Sequence, residues 1–322
     1  MKQAHFVARH QASWEALNQW LHTPAKARDG KHSERFAALY RQLCHHLALA
    51  RRRGYSPQLQ AHLQQLMQLG HAELYRTPPV PWYRLPLYLL VQFPRTVRAH
   101  RGAMGVASLL FWGPLLLALV LLQWRPELAS TLLDSGTLAQ VEKMYDPSAD
   151  RLGRDSGSDW QMFGFYIYNN ISIGLRTFAS GLVLGIGALV ILLLNGISIG
   201  AVAGHLTVIG SGAPFWEFVS SHAPWELTAI VLSGGAGLQL GMRVLAPGQL
   251  SRRQALASAG RDGAVIILGV VLMLLLAAFI EAFWSAQTLI PALAKYIASA
   301  LGWLLLAAWL LLGGRGDGHA HR

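Results

Sequence analysis

The run NNISIGLRTFASGLVLGIGALVILLLNGISIG, residues 169–200, decides the fold class. It has no charged residue after Arg176, and it is longer than the roughly 20 apolar residues that one membrane-spanning helix needs. Glycines recur in it at four-residue spacing, first at Gly181 and Gly185 and then at Gly196 and Gly200. Because such stripes of small residues let membrane helices approach closely, the run predicts a tightly packed membrane bundle.

Similar apolar runs recur along the 322-residue chain, which is 53% hydrophobic and only 13% charged. Soluble domains carry about 25% charged residues, so this composition indicates a membrane protein. We place spans near 103–123, 172–194, 197–211, 225–243, 263–284 and 290–312. The third span is short, so it is either a half-span or a helix buried inside the bundle. The predicted fold class is all-α, a polytopic membrane helix bundle of about six spans.

The distribution of charge predicts the orientation of this bundle. Residues 1–101 hold 15 Lys/Arg against 4 Asp/Glu, which accounts for the whole net charge of +11. The loop 124–171 is acidic, whereas the loop after the fourth span is basic at Arg243, Arg252, Arg253 and Arg261. Basic segments stay in the cytoplasm, so six crossings place both termini inside and the acidic loop outside a bacterial inner membrane. No zinc-finger, RNA-binding or basic-zipper pattern is present, so we expect no nucleic-acid binding.

Four segments are predicted: a cytoplasmic helical head at 1–80, a proline-rich connector with an interfacial helix at 81–101, the transmembrane bundle at 102–312 and a cytoplasmic tail at 313–322. The head has an apolar helical stripe in FAALYRQLCHHLALA and a new helix start at Ser56-Pro57, which predicts a helical hairpin or a three-helix head. The N-terminus has no apolar stretch of signal-peptide type. Cys44 is the only cysteine, which excludes an intramolecular disulfide.

The segment LYLLVQFPRTVRAHRG, residues 87–102, predicts an amphipathic helix on the inner membrane face. Its arginines Arg95, Arg98 and Arg101 are candidates for contact with lipid phosphates, and Pro94 is expected to break or kink it. The alternative is a cytoplasmic extension of the first span.

The predicted topology gathers polar groups in the outer leaflet. These are Asn169, Asn170, Arg176, His222, Glu226, Glu281 and Lys295. Ionisable groups at that depth normally face a partner or a cavity. Each also has a structural explanation: Glu226 lies in the first turn of a helix opened by Pro224, His222 lies in a loop, and Glu281 pairs with Arg176 or Lys295.

Small residues are predicted to pack the second, third and fourth spans together, and a homodimer through them is an option. They are Gly181, Gly185, Gly196, Gly200, Gly204, Gly237 and Gly241. Asn195-Gly196 predicts a sharp inner turn between the second and third spans. His205 is expected to hydrogen-bond across helices, with a proton relay as the alternative.

Catalytic motifs are absent: the chain has no phosphate-binding G-x-x-x-x-G-K-[ST] loop, no H-E-x-x-H and no G-x-S-x-G. His222, Glu226 and Glu281 are metal-ligand residue types, but they are scattered over two spans. We therefore predict no enzyme, no cofactor and no metal.

Four motifs resemble the stage II sporulation protein M family. They are the run 169–200, SHAPWELTAIVLSGGAGLQLG, APGQLSRRQALASAG and AAFIEAFW. The family pattern has an Asn pair, an Asn-Gly turn, a Pro-His…Glu-Leu entry and a late Ala-x-x-Glu, which fall here on Asn169–Asn170, Asn195–Gly196, His222 with Glu226, and Glu281. His222 follows Ser221 rather than a proline. The likeness covers about residues 90–290 and, more loosely, the head.

The resemblance implies a membrane partner protein. The namesake works in a complex with a peptidoglycan hydrolase and a further membrane-anchored protein, and relatives are found beside MoxR-type AAA+ ATPases. The predicted topology is also similar to type-2 ABC exporter permeases. We expect a non-enzymatic scaffold that contacts lipids and envelope proteins; the alternatives are a permease powered by a separate ATPase and an intramembrane hydrolase or metal enzyme.

Overall fold

The computed structural model of the chain describes residues 2–23, 30–74, 83, 85–148, 151–154 and 157–316, and all regular structure within them is helical. The chain divides into two compact units, Met1–Pro81 and Trp82–Arg322. Residues 81, 82 and 84 of the predicted connector segment and residues 317–322 of the predicted tail lie outside the described residues.

The first unit is a three-helix head, the second of the two predicted alternatives. Its helices are α1 (Gln3–His22), α2 (Gly30–Arg52) and α3 (Pro57–Leu74). They bury a core of Phe6, Trp14, Leu17, Leu43, Leu47, Leu63 and Leu66. Gly54 takes the left-handed conformation (φ 61°) that ends α2, and the Ser56 hydroxyl accepts a hydrogen bond from the Leu59 backbone at the start of α3.

The second unit contains the helices α4 to α14. They are α4 (Leu85–Leu87), α5 (Phe93–Ala99), α6 (Arg101–Trp124), α7 (Ala129–Leu132), α8 (Ser135–Met144), α9 (Asp159–Ala179), α10 (Ile186–Val208), α11 (Gly212–Ser220), α12 (Ala223–Leu245), α13 (Arg252–Ile280) and α14 (Ala292–Leu312). A π-helical turn, Tyr88–Gln92, joins α4 to α5, and another, Glu281–Ser285, extends α13. The acidic loop 124–171 contains α7 and α8, and α9 begins within it at Asp159.

Among the described residues, five helices are long and apolar enough to cross a membrane: α6, α10, α12, α13 with its π turn, and α14. The helix α9 also traverses the bundle. Gly196 contacts the Phe111 backbone and Gly204 lies against Leu122, so α6 and α10 run in the same direction. A returning segment between them is therefore required, and α9 provides it. The all-α membrane bundle with about six helices is confirmed.

The bundle has two ends, which we call the Arg101 end and the Trp124 end. The Arg101 end contains the start of α6, the end of α9 and the end of α14, since Arg98 donates hydrogen bonds to the carbonyls of Leu310 and Gly313. The Trp124 end contains the end of α6 and the start of α14. An even number of traversing helices thus returns the chain to the end from which it entered.

The predicted boundaries in 169–200 are wrong. Asn195–Gly196 is not a turn but lies inside α10, where the Asn195 amide donates to the Ile191 carbonyl. The break comes earlier, at a 3₁₀ turn over Ser180–Leu182 followed by Leu184 and Gly185 with positive φ (53° and 82°). The predicted spans 172–194 and 197–211 are therefore replaced by α9 and α10. Hydropathy could not locate this break because the residues on both sides of it are apolar.

The glycine stripes form the backbone contacts of this bundle. Gly181 lies against the Gly237 backbone, Gly185 against Gly241, and Gly200 against the Leu115 carbonyl, leaving no room for a Cβ atom at Gly181 or Gly200. These contacts join α9, α10, α12 and α6 at backbone distance, as small residues allow in membrane helices.

The segment predicted as interfacial is helical, but its polar face is engaged by protein. Phe93 and Val97 are buried in a core cluster with residues of α13 and α14. Arg95 Nε donates to the Gly314 carbonyl and Arg98 to two carbonyls at the end of α14, where backbone carbonyls lack helical partners. Of the three arginines assigned to lipid headgroups, two therefore cap α14, and Arg101 is exposed. The break predicted at Pro94 is a π-helical turn before it.

Candidate functional site

Two carboxylates and an imidazole meet at the Trp124 end of the bundle. One ligand-type atom from each of His222, Glu226 and Glu281 lies within 4.8 Å of the other two. We call these three residues the carboxylate–histidine cluster. His222 is 5% exposed and Glu281 is 9% exposed, so the cluster is largely shielded from the surroundings of the protein.

The start of α12 places two members of the cluster on one helix face. His222 precedes the helix with helical backbone angles (φ −98°, ψ −20°), and its carbonyl accepts the backbone N–H of Glu226. Pro224 is in the first turn, where its missing N–H costs no hydrogen bond. The i,i+4 pair therefore shares a face, and His222 Nε2 lies 3.9 Å from Glu226 Oε2.

The π-helical turn that follows α13 supplies the third member and a supporting hydroxyl. Glu281 opens this turn and Ser285 closes it. His222 Nδ1 is 3.1 Å from Ser285 Oγ. Asn170 Nδ2 donates to Glu281 Oε2 at 3.3 Å, and Asn169 Nδ2 donates to Asn170 Oδ1 at 3.0 Å. The Asn pair predicted from the sequence thus holds one of the carboxylates.

Two buried tyrosines complete the surroundings of the cluster. Tyr145 ends α8 and lines a cavity together with the three cluster residues. Tyr166 of α9 packs with Tyr145 and Ala282 in one core cluster. Burial raises the pKa of Tyr145 well above its usual value, so this hydroxyl stays protonated and remains a donor.

A cavity of about 240 Å³ opens beside the cluster. It is lined by Tyr145, Ser198, Ile199, Val202, Phe215, Phe218, Val219, His222, Ala223, Glu226, Leu227 and Glu281. Most of this lining is apolar, and the polar groups converge on one side. A pocket of this kind fits a small ligand that carries one polar or charged group.

Lys295 belongs to a separate ion pair. Its Nζ is fully buried and donates to Glu217 Oε1 at 2.8 Å and to the carbonyls of Ser285 and Gln287 at 3.0 and 2.7 Å. The predicted pairing of Glu281 with Lys295 is therefore wrong. Glu217 was not singled out from the sequence, because the partner of a buried lysine depends on how α11 packs against α14.

Arg176 lies apart from the other polar residues that the sequence placed in the outer leaflet. It is exposed in the last turn of α9, at the Arg101 end, because α9 begins at Asp159 and not near Asn169. Its pairing with Glu281 is therefore wrong as well. The predicted bond of His205 across helices is present: its Nε2 is 2.7 Å from Glu142 Oε1 of α8.

Several residues of the site were not found by sequence reasoning. Tyr145, Tyr166 and Ser285 give no signal in isolation, since tyrosine and serine are common near membrane helix ends. The π-helical turn brings Ser285 to His222, and such turns are frequent at functional sites.

The protein is therefore an all-α membrane helix bundle with a carboxylate–histidine cluster buried at one end. The family model described as stage II sporulation protein M matches residues 106–286, more than half of the chain, and the chain belongs to that family. A domain of unknown function, DUF8413, matches residues 4–76, which contain the head helices. The searches of curated proteins and of solved structures gave no match.

Proposed function

We propose that this protein is a non-enzymatic scaffold in the bacterial inner membrane that assembles envelope or cell-wall machinery. The observation that carries the proposal is the backbone-to-backbone packing of α6, α9, α10 and α12 through glycines. Helices joined in this way move together, because any sliding brings side chains against neighbouring backbone. Such a core suits a fixed platform for partner proteins.

Family membership supports the same role. The stage II sporulation protein M match covers α9 to α13, including the cluster and the glycine contacts. The partners we propose are envelope proteins, among them a peptidoglycan hydrolase or a MoxR-type AAA+ ATPase, and a second copy of this chain is an option.

Chemical crosslinking with mass spectrometry in native membranes tests the scaffold. The full chain is compared with a variant that lacks residues 1–81, the first compact unit. We expect the shortened protein to insert and to lose crosslinks to its partners. Recovery of the same partners in the same amounts from both proteins would contradict the role of the head.

We further propose that both termini lie in the cytoplasm. The even number of traversing helices and the arginines at the Arg101 end support this orientation. A membrane-impermeant maleimide applied to spheroplasts tests it. It should label a cysteine introduced in α8 by Ser135→Cys and leave the native Cys44 unlabelled. Labelling of Cys44 alone would reverse the orientation.

A second candidate function is a permease powered by a separate ATPase. The cavity that reaches Glu226 and Glu281 favours it, although Arg176 is not part of this cavity. ATP-supplied membrane vesicles that contain the candidate ATPase would show transfer of a fluorescent lipid analogue. We expect Glu226→Gln to slow this transfer and Glu142→Gln, outside the cavity, to leave it unchanged. Equal transfer in vesicles without this protein would exclude the permease.

A further inference from the structure

Three side chains of metal-ligand type converge at the Trp124 end of the bundle. From this juxtaposition we propose that His222, Glu226 and Glu281 bind one divalent transition-metal ion, with zinc as the reference ion. The proposal goes beyond the scaffold role and does not depend on it. The metal would join the start of α12 to the end of α13.

The distances fit a metal site before metal binding. The three ligand atoms lie within 4.8 Å of one another, and His222 Nε2 is 3.9 Å from Glu226 Oε2. In a tetrahedral zinc site with bonds of about 2.0–2.2 Å, the ligand atoms lie roughly 3.3–3.5 Å apart. Side-chain rotations that move the ligand atoms by less than about 1.5 Å would therefore bring them to the separations of a zinc site.

A bound cation would stabilise the two carboxylates of the cluster. Among the ion pairs of the described residues, neither Glu226 nor Glu281 has a lysine or arginine partner. Lys295, the buried cation on the neighbouring helix, is occupied by Glu217 and two carbonyls. Buried carboxylates are normally paired or coordinate a metal, and a divalent cation would neutralise both.

The hydrogen bonds around the cluster orient two of the three candidate ligands, as groups that hydrogen-bond to metal ligands do in known sites. When His222 Nδ1 donates to Ser285 Oγ, the lone pair of Nε2 is free to face Glu226 and a metal. The Asn169–Asn170–Glu281 chain leaves one oxygen of Glu281 available. Metal-binding histidines and carboxylates are typically held by second groups in this way.

An independent observation also points to a ligand. The Tyr166 side chain is 4% exposed, and within the described part of the chain its hydroxyl has no hydrogen-bond partner. Tyr166 packs in one core cluster with Tyr145, which lines the cavity beside the carboxylate–histidine cluster, and with Ala282, the residue after Glu281. Buried hydroxyls are rarely left without a partner, and a water molecule bound to the metal would provide one.

The ligand set indicates the class of metal. Imidazole with two carboxylates suits zinc and related transition ions, whereas magnesium and calcium prefer sites made of oxygen alone. Three protein ligands leave a fourth position, which would face the cavity of about 240 Å³. Water, or the anionic oxygen of a bound molecule, would occupy it.

Metal analysis of the purified full-length protein tests the proposal. The protein is stripped with a chelator, incubated with zinc and freed of excess by gel filtration, and bound zinc is measured by elemental analysis. We expect one zinc per chain. The variants Glu281→Gln and His222→Gln should lose the zinc, with an affinity for zinc at least about 10-fold lower. Substitution of a group that only hydrogen-bonds to a ligand already lowers metal affinity about 10–100-fold.

The matched control is Glu142→Gln. Glu142 pairs with His205 at 2.7 Å, so it belongs to a carboxylate–histidine pair outside the cluster. This variant should retain the zinc. Equal loss from the control, or retention by both cluster variants, would overturn the proposal.

A measurement on the unaltered chain covers the case in which a variant fails to fold. Cobalt added to the chelator-treated protein should give the visible absorption bands of a tetrahedral site, and zinc should remove them. If cobalt gives no such bands with the chelator-treated wild-type protein, the proposal is overturned without the need for any variant. Asn170→Ala, which keeps all three ligands, should weaken binding about 10–100-fold.

Discussion

The head and the membrane bundle are both helical, but different side chains hold them together. The head buries large aromatic and aliphatic groups such as Phe6, Trp14 and Leu63. The bundle brings helices together at glycines, where Gly181 meets Gly237 and Gly200 meets Leu115. Polar groups are also distributed differently: the bundle buries Lys295, Glu281 and Asn170.

The difference reflects the solvent of each unit. In water, burial of apolar side chains stabilises a core by about 25 cal/mol per Å². In a lipid bilayer this driving force between helices is missing, so close packing and hydrogen bonds must replace it. The comparison therefore predicts that glycine and buried-charge substitutions damage the bundle most, while side-chain truncation damages the head.

The largest effect is expected from Gly200→Leu. A Cβ atom at this position would overlap the Leu115 carbonyl, so α6 and α10 must separate. Overpacking costs about 1–3 kcal/mol where side chains can move aside. The cost here is larger, because the obstacle is backbone that cannot move without separating the two helices. We expect the protein to lose its monodisperse peak in gel filtration. Gly102→Leu, at an exposed position of α6 with open space, is the control and should behave as the wild type.

The next effect is expected from Lys295→Met. This change removes the buried partner of Glu217 and of two carbonyls, and breaking a buried ion pair costs about 3–5 kcal/mol. Thermal unfolding in detergent, followed by circular dichroism, should show a lower midpoint. Adding Glu217→Gln should restore part of the loss. A double variant as unstable as the single one would show that the pair contributes little.

In the head, Leu63→Ala should lower the free energy of unfolding by about 3 kcal/mol, within the range for truncation of buried leucines. Leu63 is fully buried in the head core, whereas Leu69 on the same helix is 40% exposed. Hydrogen exchange on the full chain should show faster exchange in α1 to α3 and unchanged exchange in α10 and α12. Leu69→Ala is the control. Faster exchange in α10 and α12 as well would contradict the expectation that this substitution destabilises the head alone.

The smallest effect is a pH dependence of the head. Burial lowers the pKa of His46 to about 4, and Trp14 Nε1 donates to its Nδ1, which keeps the ring neutral. The unfolded chain binds a proton near pH 6.5, so head stability is full above that pH and falls as pH drops toward 4. We expect a loss on the order of 1–2 kcal/mol over this range.

Hydrogen exchange of α1 to α3 at pH 7 and pH 5 measures this loss, after correction for the intrinsic exchange rate. His46→Gln removes the titrating ring and should flatten the dependence. A steep pH dependence that survives in this variant would assign it to another group, such as His10, whose pKa burial also lowers.

The sequence predicted the members of the candidate site better than their partners. His222, Glu226, Glu281 and the Asn pair were identified because polar residues in apolar runs are conspicuous. The predicted topology placed them at one level of the membrane, but their direct contact was not predictable, since it depends on the π-helical turn at Glu281 and on the register of α9 against α13. The partners Glu217 and Tyr145 come from α11 and α8, whose sequences give no membrane or site signal. Tyr166 lies in the part of α9 that precedes the predicted second span.

Sequence alone determined the helical class, the membrane environment, the basic first segment and the small residues at helix contacts. These features depend on composition and local spacing, which a single chain displays directly. Only the tertiary structure decided where the run 169–200 breaks, that α9 traverses the bundle, that Lys295 pairs with Glu217, and that Arg176 lies at the opposite end from the cluster. Those outcomes depend on which polar face each helix can bury against its neighbours, and hydropathy does not contain that information.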